Sequence, residues 1–207
     1  MIRFWNTFVK LTGWPGYLVC FRTKIRYEDR SVQGRHIKGP AIIVSNHNTV
    51  IDFVLWLFVF FTRTLRFQMA EVLFTRPFLR KFLPMLGGIC VDRLSSDLAF
   101  VSESADILKK GGVVGIFPEG RLPLPGEQRP IEFKPGAAYL SLSTGVKVIP
   151  VYTNGSYFKL KRARAVIGKP MDPADFDDPN RSQKENIEAF TAAMREKVIE
   201  LRSMLNG

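Results

Sequence analysis

A histidine and an aspartate five residues apart are the pair in this sequence best suited to proton transfer. His47 closely follows the apolar run 41–45, and Asp52 stands near the start of the next apolar stretch. Five residues turn a helix by about 500°, so the two side chains do not share a face of one continuous helix. If His47 lies in the turn before the helix and Asp52 lies inside it, the carboxylate can accept the N–H of one imidazole nitrogen. The other nitrogen is then free to take a proton.

This pairing is the orienting half of a catalytic triad without the serine nucleophile, and a substrate hydroxyl would fill the missing place. Neither Cys20, Cys90 nor any serine stands in an obvious nucleophile position, so we expect no covalent intermediate on the protein. With two histidines and two cysteines in the chain, we also expect no zinc site and no other metal or cofactor. Taken alone, the His–Asp spacing favours a histidine that merely caps a helix.

Four further segments place glycine, proline or charged residues in or just after apolar runs. They are Gly87-Gly88-Ile89-Cys90-Val91-Asp92-Arg93, Phe117-Pro118-Glu119-Gly120-Arg121, Phe133-Lys134-Pro135-Gly136 and Val148-Ile149-Pro150-Val151. Each charge has a simple structural interpretation: Arg93 can be solvated after a strand, and Arg121 can anchor a loop through Glu119 or Glu127. Pro150 can simply end a strand. Glu119 is different, because a charge between a buried strand and a glycine usually has a partner.

In this order, and together with Asn46-His47-X4-Asp52, these segments resemble the four blocks of the glycerolipid acyltransferases, the family of bacterial 1-acylglycerol-3-phosphate acyltransferase. The resemblance covers roughly residues 40–155. It implies a membrane-associated enzyme of phospholipid biosynthesis that transfers a fatty acyl group from acyl-CoA or acyl carrier protein to a lysophospholipid hydroxyl. The acceptor it implies most directly is 1-acyl-sn-glycerol-3-phosphate, which gives phosphatidic acid.

The resemblance also implies roles for individual residues. His47 matches the base that activates the acceptor hydroxyl, and Asp52 matches the residue that orients it. Glu119 and Gly120 match the centre of the third block, which shapes the acceptor site. Pro150 matches the apolar fourth block, which is associated with the acyl-donor side.

Three basic residues match positions linked to the acceptor's phosphate: Arg93, Arg121 and Lys134. Guanidinium groups suit that role because each can bind phosphate oxygens through two hydrogen bonds. The third block departs from the family pattern, which commonly reads Glu-Gly-Thr-Arg. Here Arg121 directly follows Gly120, and the stiff stretch 122–126 comes next. The shifted arginine leaves the reaction class intact but weakens the identification of the acceptor.

Two alternatives therefore stay open. One keeps the chemistry and changes the acceptor to another lysolipid or to an amino-acid lipid. The other is a catalytically inactive protein of the same fold that binds membrane lipid. The intact His47 and Asp52 favour an enzyme, since a protein that only binds lipid does not need that pair.

The elements that would position these residues alternate between strand and helix. We predict strands at 41–45, 66–72, 88–92, 113–117, 146–152 and 163–167, and helices at 49–62, 77–86, 95–110, 136–143 and 181–205. Strands that are apolar throughout and separated by helices predict an α/β fold with a mostly parallel central sheet covered by helices on both faces. Ligands gather at the carboxyl ends of such strands, where the first three blocks would meet.

The charge of the chain is concentrated in its first half. The net charge is +11; residues 1–93 hold 14 Lys and Arg against 5 Asp and Glu, whereas residues 94–207 hold 16 against 14. The basic half is also rich in Phe, Trp and Leu, without the aromatic strand motifs of nucleic-acid binders. We therefore expect an anionic membrane surface as partner, and no nucleic acid.

The N-terminal part of the chain has two interpretations. Residues 1–20 suit a short amphipathic helix lying in the membrane interface, or equally a helix packed on the core. The longest apolar run, 53–61, is about half of what a spanning helix needs. We divide the chain into a membrane-associating segment, 1–30, and an acyltransferase domain, 31–207. We expect no cleaved signal peptide and a peripheral or monotopic protein on the cytoplasmic face of the cell membrane.

Overall fold

The computed structural model describes residues 1–92, 99–158 and 162–205. Within these residues the chain forms one sheet of seven strands: β1 (Lys24–Tyr27), β2 (Ala41–Ser45), β3 (Leu65–Ala70), β4 (Ile89–Val91), β5 (Val113–Ile116), β6 (Val148–Thr153) and β7 (Arg164–Ile167). The helices of the same residues are α1 (Ile2–Cys20), α2 (Asp52–Val59), α3 (Pro77–Leu86), α4 (Ala99–Lys109), α5 (Gly136–Thr144) and α6 (Gln183–Ser203). Short 3-10 turns occur at Glu71–Leu73 and Pro173–Asp175.

The strands lie in the order β1-β7-β6-β2-β5-β3-β4. Neighbouring strands are parallel except β6 and β7, which are antiparallel. Five strands thus run one way, and β7 and β1 run the other way at one side of the sheet. The predicted α/β fold with a mostly parallel sheet is confirmed.

Helices cover both faces of this sheet. On one face α1 packs against α2 and α3; on the other α5 packs against α4 and α6. Strand β2 lies at the centre and is buried along its whole length, because its side chains alternate between the two layers. Ile43 joins the core under α1 and α2, while Ile42 joins the core under α5 and α6.

Helix α2 begins later than the sequence pattern suggested. The pattern started the second helix at residue 49, but α2 begins at Asp52. The carboxylate of Asp52 accepts the backbone N–H groups of Asn48 and Thr49, and this holds the preceding residues in a turn. Helix α4 is described from Ala99 onward, and the predicted start at 95–98 lies outside the described residues.

Strand β1 was not predicted. Its sequence Lys-Ile-Arg-Tyr is half charged, and it lies at the edge of the sheet beside β7, where one row of backbone groups has no strand neighbour. A short, charged edge strand carries little of the apolar signal that marks the buried strands. The boundary between the two predicted parts of the chain, at residue 30, stays a prediction, although β1 precedes it and belongs to the sheet.

Helix α1 occupies the predicted N-terminal segment and packs beside α2 and α3. Gly13 allows a close approach, since a Cβ there would lie 3.0 Å from Cζ of Phe58. The ring of Tyr17 stacks on Phe58 at a centroid distance of 4.6 Å. None of the helices within the described residues combines the length and the hydropathy that crossing a bilayer requires.

Candidate active site

His47 lies in the turn between β2 and α2, at the carboxyl end of the central strand. Its Nδ1 is 2.8 Å from Oδ2 of Asp52, so the contact predicted from their spacing is present. Asp52 is fully buried, while 18% of the His47 side chain is exposed. Because a carboxylate only accepts hydrogen bonds, this contact favours the neutral tautomer with its hydrogen on Nδ1 and its lone pair on Nε2. Within the described residues Nε2 has no hydrogen-bond partner.

Four donors besides the imidazole hold the Asp52 carboxylate in place. Oδ2 accepts the backbone N–H of Asn48 at 2.6 Å and that of Thr49 at 2.9 Å. Oδ1 accepts the hydroxyl of Tyr157 at 2.8 Å and, more weakly, the hydroxyl of Thr49 at 3.3 Å. These bonds replace the water that burial removes, which is what allows a carboxylate to remain in the core.

Glu119 lies beneath His47 and fixes its backbone. One carboxylate oxygen accepts the backbone N–H of His47 at 2.7 Å, and the other accepts that of Ile131 at 3.2 Å. Burial raises the pKa of the Glu119 carboxyl, while the two backbone hydrogen bonds pull it back down. The partner expected for this charge is thus a pair of backbone amides, one of which belongs to the candidate base.

Aromatic rings fix the other side of the imidazole. The ring of His47 stacks on Phe117 at a centroid distance of 4.3 Å and an interplanar angle of 18°. Phe117 in turn stacks on Phe67 at 5.5 Å. Gly115 leaves room for Phe67, since a Cβ at that position would lie 2.2 Å from Cε1 of the ring. The imidazole is therefore held by a carboxylate at Nδ1 and by a ring on its face.

A cavity of about 350 Å³ opens beside Phe117, at the carboxyl ends of β3, β4 and β5. Lys134 and Gly120 line it, together with Asp92 and apolar side chains. Gly120 has a φ of +68°, and a Cβ there would lie 2.9 Å from Cε of Lys134. The positive φ favours glycine at this position, and its lack of a side chain lets the lysine pass over the backbone. The structure thus brings Glu119, Gly120 and Lys134 to the edge of the sheet that carries His47.

Arg121 is held by another residue of its own loop. Its two terminal nitrogens lie 2.7 and 2.6 Å from the carboxylate oxygens of Glu127. Hydrogen bonds from Arg121 and from the backbone of Leu124 lower the pKa of the Glu127 carboxyl to about 2. The sequence allowed Arg121 to anchor its loop through Glu119 or Glu127, and in the structure its partner is Glu127. Arg121 is absent from the described lining of the cavity. Arg93 lies outside the described residues.

Pro150 lies inside the sheet rather than at its edge. It is buried in β6, opposite Val44 of β2. Its ring approaches Gly168, where a Cβ would lie 2.9 Å from Cγ of the proline and 3.0 Å from Leu201. No contact among the described residues joins Pro150 to His47, so its assignment to the donor side stays a prediction.

Three residues of the site were missed by sequence reasoning. The side chain of Asn46 exchanges two hydrogen bonds with the backbone of Thr153, at 2.9 and 2.8 Å, and so ties the His47 turn to the end of β6. Asn48 also donates to the carbonyl oxygen of Thr153. Tyr157 reaches Asp52 from 105 positions away in the sequence. Asn46 and Asn48 flank His47 and were available as a signal, whereas nothing in the sequence pattern linked Tyr157 to the turn.

Comparison with known proteins identifies the same family that the sequence motifs resemble. The acyltransferase family model matches residues 22–154. The chain is 24% identical over 170 residues to 1-acyl-sn-glycerol-3-phosphate acyltransferase of Bacillus subtilis, covering 80% of this chain and 82% of that protein. It is 31% identical over 156 residues to the human 1-acyl-sn-glycerol-3-phosphate acyltransferase beta, covering 72% of this chain and 54% of that one.

The fold also matches a solved structure. The crystal structure of the 1-acyl-sn-glycerophosphate (LPA) acyltransferase PlsC from Thermotoga maritima superposes with a TM-score of 0.69. The match covers 95% of this chain and 79% of that one, at 22% sequence identity. The family match spans the whole stretch from β1 to the end of β6, including every block on which the resemblance was based. The chain belongs to the acyltransferase family and has the PlsC-type fold.

Proposed function

We propose that this acyltransferase transfers a fatty acyl group from an acyl thioester to the free hydroxyl of a lysophospholipid, with His47 as general base. The acceptor proposed first is 1-acyl-sn-glycerol-3-phosphate, which would give phosphatidic acid, because the curated relatives that match this chain carry that name. The donor is acyl-CoA or acyl carrier protein.

The observation that carries this proposal is the state of the His47 ring. Its Nδ1 is bound to the buried Asp52, its face rests on Phe117, and its Nε2 has no partner within the described residues. A base must present a lone pair in a fixed direction, and this arrangement supplies one at the edge of the sheet where ligands gather. A histidine that only capped a helix would not need the buried carboxylate.

In the proposed reaction the acceptor hydroxyl lies against Nε2 of His47. Its oxygen attacks the thioester carbonyl carbon while Nε2 takes the hydroxyl proton, and the C–S bond breaks as the ester forms. The imidazolium, stabilised by Asp52, then returns the proton to the departing thiolate. General acid–base help of this kind is typically worth about 10²–10⁴-fold in rate. The thioester is already activated, so the scheme needs no metal or further cofactor.

The cavity beside Phe117 is the proposed place for the acceptor's phosphate. Lys134 supplies a cation there, and Gly120 leaves room for it. The charge of Arg121 is already paired with Glu127, since both of its terminal nitrogens donate to that carboxylate. This pairing is the specific feature that favours the alternative of a different lysolipid or amino-acid-lipid acceptor.

Helix α1 supports membrane docking because it buries polar residues while several large apolar ones face outward. It buries Asn6 and Lys10, along with Tyr17, against the rest of the protein. Its outer side exposes a set of large apolar residues: Met1, Phe4, Phe8, Leu11, Leu18 and Val19. An apolar face directed outward suits an amphipathic element lying in a bilayer interface. We propose that this face docks on the anionic cytoplasmic face of the membrane.

Basic side chains beside that face fit an anionic surface. Helix α3 packs against α1 and exposes Phe78 together with Arg76, Arg80 and Lys81 nearby. Each Lys or Arg near an anionic lipid surface contributes roughly 1 kcal/mol to binding. The apolar and basic residues of the two helices thus match the two components of a peripheral membrane site.

The test is to identify the products made from a panel of acceptors. Purified protein is incubated with acyl-CoA and lysophosphatidate, other lysophospholipids or amino-acid lipids, and the products are identified by mass spectrometry; His47→Ala serves as the matched control. Phosphatidic acid from wild type, and none above background from His47→Ala, is the expected result. A different product would identify another acceptor, no product from any acceptor would favour the inactive lipid-binding protein, and equal turnover by the variant would overturn the mechanism.

A further inference from the structure

A second cavity lies on the other side of His47 from Lys134. It has a volume of about 590 Å³, and its described lining residues are Lys24, Asn154, Ser156, Arg162 and Arg164. Three of these five are cations and none is acidic. The mechanism described above uses none of them.

The strand directions put these residues at the same edge of the sheet as His47. Strand β6 is parallel to β2 and ends at Thr153, so Asn154 follows at the carboxyl edge. Because β7 and β1 run in the opposite direction, their first residues lie at that same edge. With strands about 4.8 Å apart, β7 lies about 10 Å and β1 about 14 Å from β2.

The loop after β6 forms the wall between this cavity and the catalytic pair. Asn154 accepts the backbone N–H of Arg164 at 2.9 Å and that of Ser156 at 3.2 Å. Gly155 packs on the residue after His47, since a Cβ at Gly155 would lie 2.6 Å from Cβ of Asn48. Asp52 is joined to the same loop through Tyr157. A ligand in this cavity would thus lie one loop away from the reacting groups.

None of the three cations takes part in an ion pair within residues 1–92, 99–158 and 162–205, the part of the chain that the structure describes. The Arg164 side chain donates one bond to the carbonyl oxygen of Leu205, and its other N–H groups have no partner in the described part of the chain. The acidic residues nearest in sequence to β1, Glu28 and Asp29, follow its last residue and so lie at the opposite edge of the sheet. The cavity therefore favours a ligand with more than one negative charge.

We propose that this cavity binds the phosphate groups of the acyl donor's phosphopantetheine carrier. The inference rests on the proposed function, since it assigns the second substrate of the same reaction. Acceptor and donor both carry phosphate, and their reacting groups must meet at Nε2 of His47. Lys134 offers a cation on one side of His47, and Lys24, Arg162 and Arg164 offer three on the other. A flexible pantetheine arm, with its thioester at one end and phosphate at the other, can span the intervening strands.

The test measures donor kinetics in Lys24→Ala/Arg162→Ala at saturating acceptor. The KM for acyl-CoA is expected to rise by about tenfold or more, because each cation offers a charge-assisted hydrogen bond. The KM for lysophosphatidate should stay unchanged in the same double variant. Arg181→Ala/Lys184→Ala is the matched control for net charge, because it also removes two exposed cations; their ion-pair partners among the described residues are Asp178 and Glu188. An unchanged KM for acyl-CoA in the double variant would overturn the assignment.

A donor without phosphate separates recognition of the donor from an effect on membrane binding. With an acyl-pantetheine thioester, the difference between wild type and double variant should disappear. A rise in KM that persists with this donor would overturn the proposal. Acyl-CoA and acyl carrier protein share the phosphopantetheine phosphate: losses with both donors assign that shared group to the cavity, and a loss with acyl-CoA alone assigns the nucleotide phosphates.

Calorimetric titration with CoA alone keeps the site testable without turnover. Binding by wild type and at least tenfold weaker binding by the double variant would support the cavity, even if the acceptor panel yielded no product. Equal CoA affinity in the two proteins would overturn it, even with transferase activity intact. The failure of this inference and that of the proposed function therefore give different results.

Discussion

At the residue scale, the site is a single imidazole restrained from three directions. Asp52 binds its Nδ1, Phe117 covers its face, and Glu119 binds its backbone N–H. Each restraint comes from a different segment of the chain, so the lone pair on Nε2 has a fixed direction before any substrate arrives. A fixed direction is what proximity and orientation effects require of a base.

Tyr157→Phe should change the pH dependence of the reaction without unfolding the site. Burial, and then the neighbouring Asp52 carboxylate, raises the pKa of the Tyr157 phenol, so the hydroxyl stays protonated and donates at every working pH. Its hydrogen partly offsets the negative charge that Asp52 presents to the imidazole. Without it the imidazolium gains stability, and the acid limb of the kcat/KM profile should move to higher pH by up to about one pH unit.

The measurement is kcat/KM as a function of pH for wild type and Tyr157→Phe. The two proteins should first be shown to have the same melting temperature. Tyr139→Phe is the control, because that exposed tyrosine lies on α5, away from Asp52. Superimposable profiles for Tyr157→Phe and wild type would mean that the phenol has only a packing role.

Glu119→Gln should lower the rate more than it lowers the affinity for acceptor. An amide has one accepting oxygen and one donating nitrogen, so glutamine can satisfy only one of the two backbone N–H groups that Glu119 now binds. One buried donor is left without a partner, at a cost of about 1–3 kcal/mol, and the His47 backbone shifts. We expect kcat to fall by roughly tenfold or more. Steady-state kinetics with lysophosphatidate tests this: a change confined to KM would instead assign Glu119 to acceptor binding.

At the element scale, the position of α1 depends on a buried lysine. Lys10 is 3% exposed, and its ammonium donates to the carbonyl oxygens of Phe61 and Arg63, just beyond α2. Asn6 makes a similar bond to the carbonyl oxygen of Leu86 at the end of α3. Polar residues thus attach α1 to the ends of its two neighbouring helices, while Phe4, Phe8 and Leu11 stay exposed.

Lys10 should make stability depend on pH. Burial lowers the pKa of its ammonium from 10.5 to about 8. Between these two values the unfolded chain binds more protons at Lys10 than the folded chain does, so this group adds stability as the pH rises. The free energy of unfolding of wild type, relative to that of Lys10→Met, should increase by up to about 3 kcal/mol between pH 7 and pH 10.5.

Urea unfolding of the two proteins at several pH values measures this difference directly. The comparison with Lys10→Met removes the contribution of every other group that titrates in the same range. If the difference in unfolding free energy stays constant across this pH range, burial does not lower the pKa of Lys10.

At the scale of the whole molecule, one surface combines apolar and basic residues, and one sheet edge carries His47 and the residues that hold it. Replacing Phe4 and Phe8 by serine should weaken binding to vesicles of phosphatidylglycerol and phosphatidylcholine at least tenfold, because both side chains are exposed on α1. Binding of wild type should also weaken as salt is raised.

Sedimentation with vesicles at several salt concentrations measures both effects. Ile199→Ser is the matched control, because Ile199 is a partly exposed apolar residue on α6, which packs on the other face of the sheet. If vesicle binding is unchanged both by salt and by the replacement of Phe4 and Phe8, the membrane contact lies elsewhere on the protein.

The parts of this molecule that the sequence predicts are those with a local signal. Apolar runs predict β2, β5 and a mostly parallel sheet, and the five-residue spacing predicts the contact between His47 and Asp52. The burial of Lys10 and the contact of Tyr157 with Asp52 have no local signal, because each depends on a partner about 50 or more positions away. In the sequence Lys10 is a single charge within an apolar stretch, and in the structure it attaches the helix.

The central claim is tested most directly by the transfer rates of His47→Ala, Asp52→Asn and the double variant, measured with saturating acyl-CoA and lysophosphatidate. If Asp52 acts through the imidazole, each single change should slow transfer by about 10²–10⁴-fold, and the double variant should be no slower than His47→Ala. Rate losses that multiply in the double variant would show that Asp52 acts independently of His47. Transfer by His47→Ala within tenfold of wild type would contradict the account of His47 as the base.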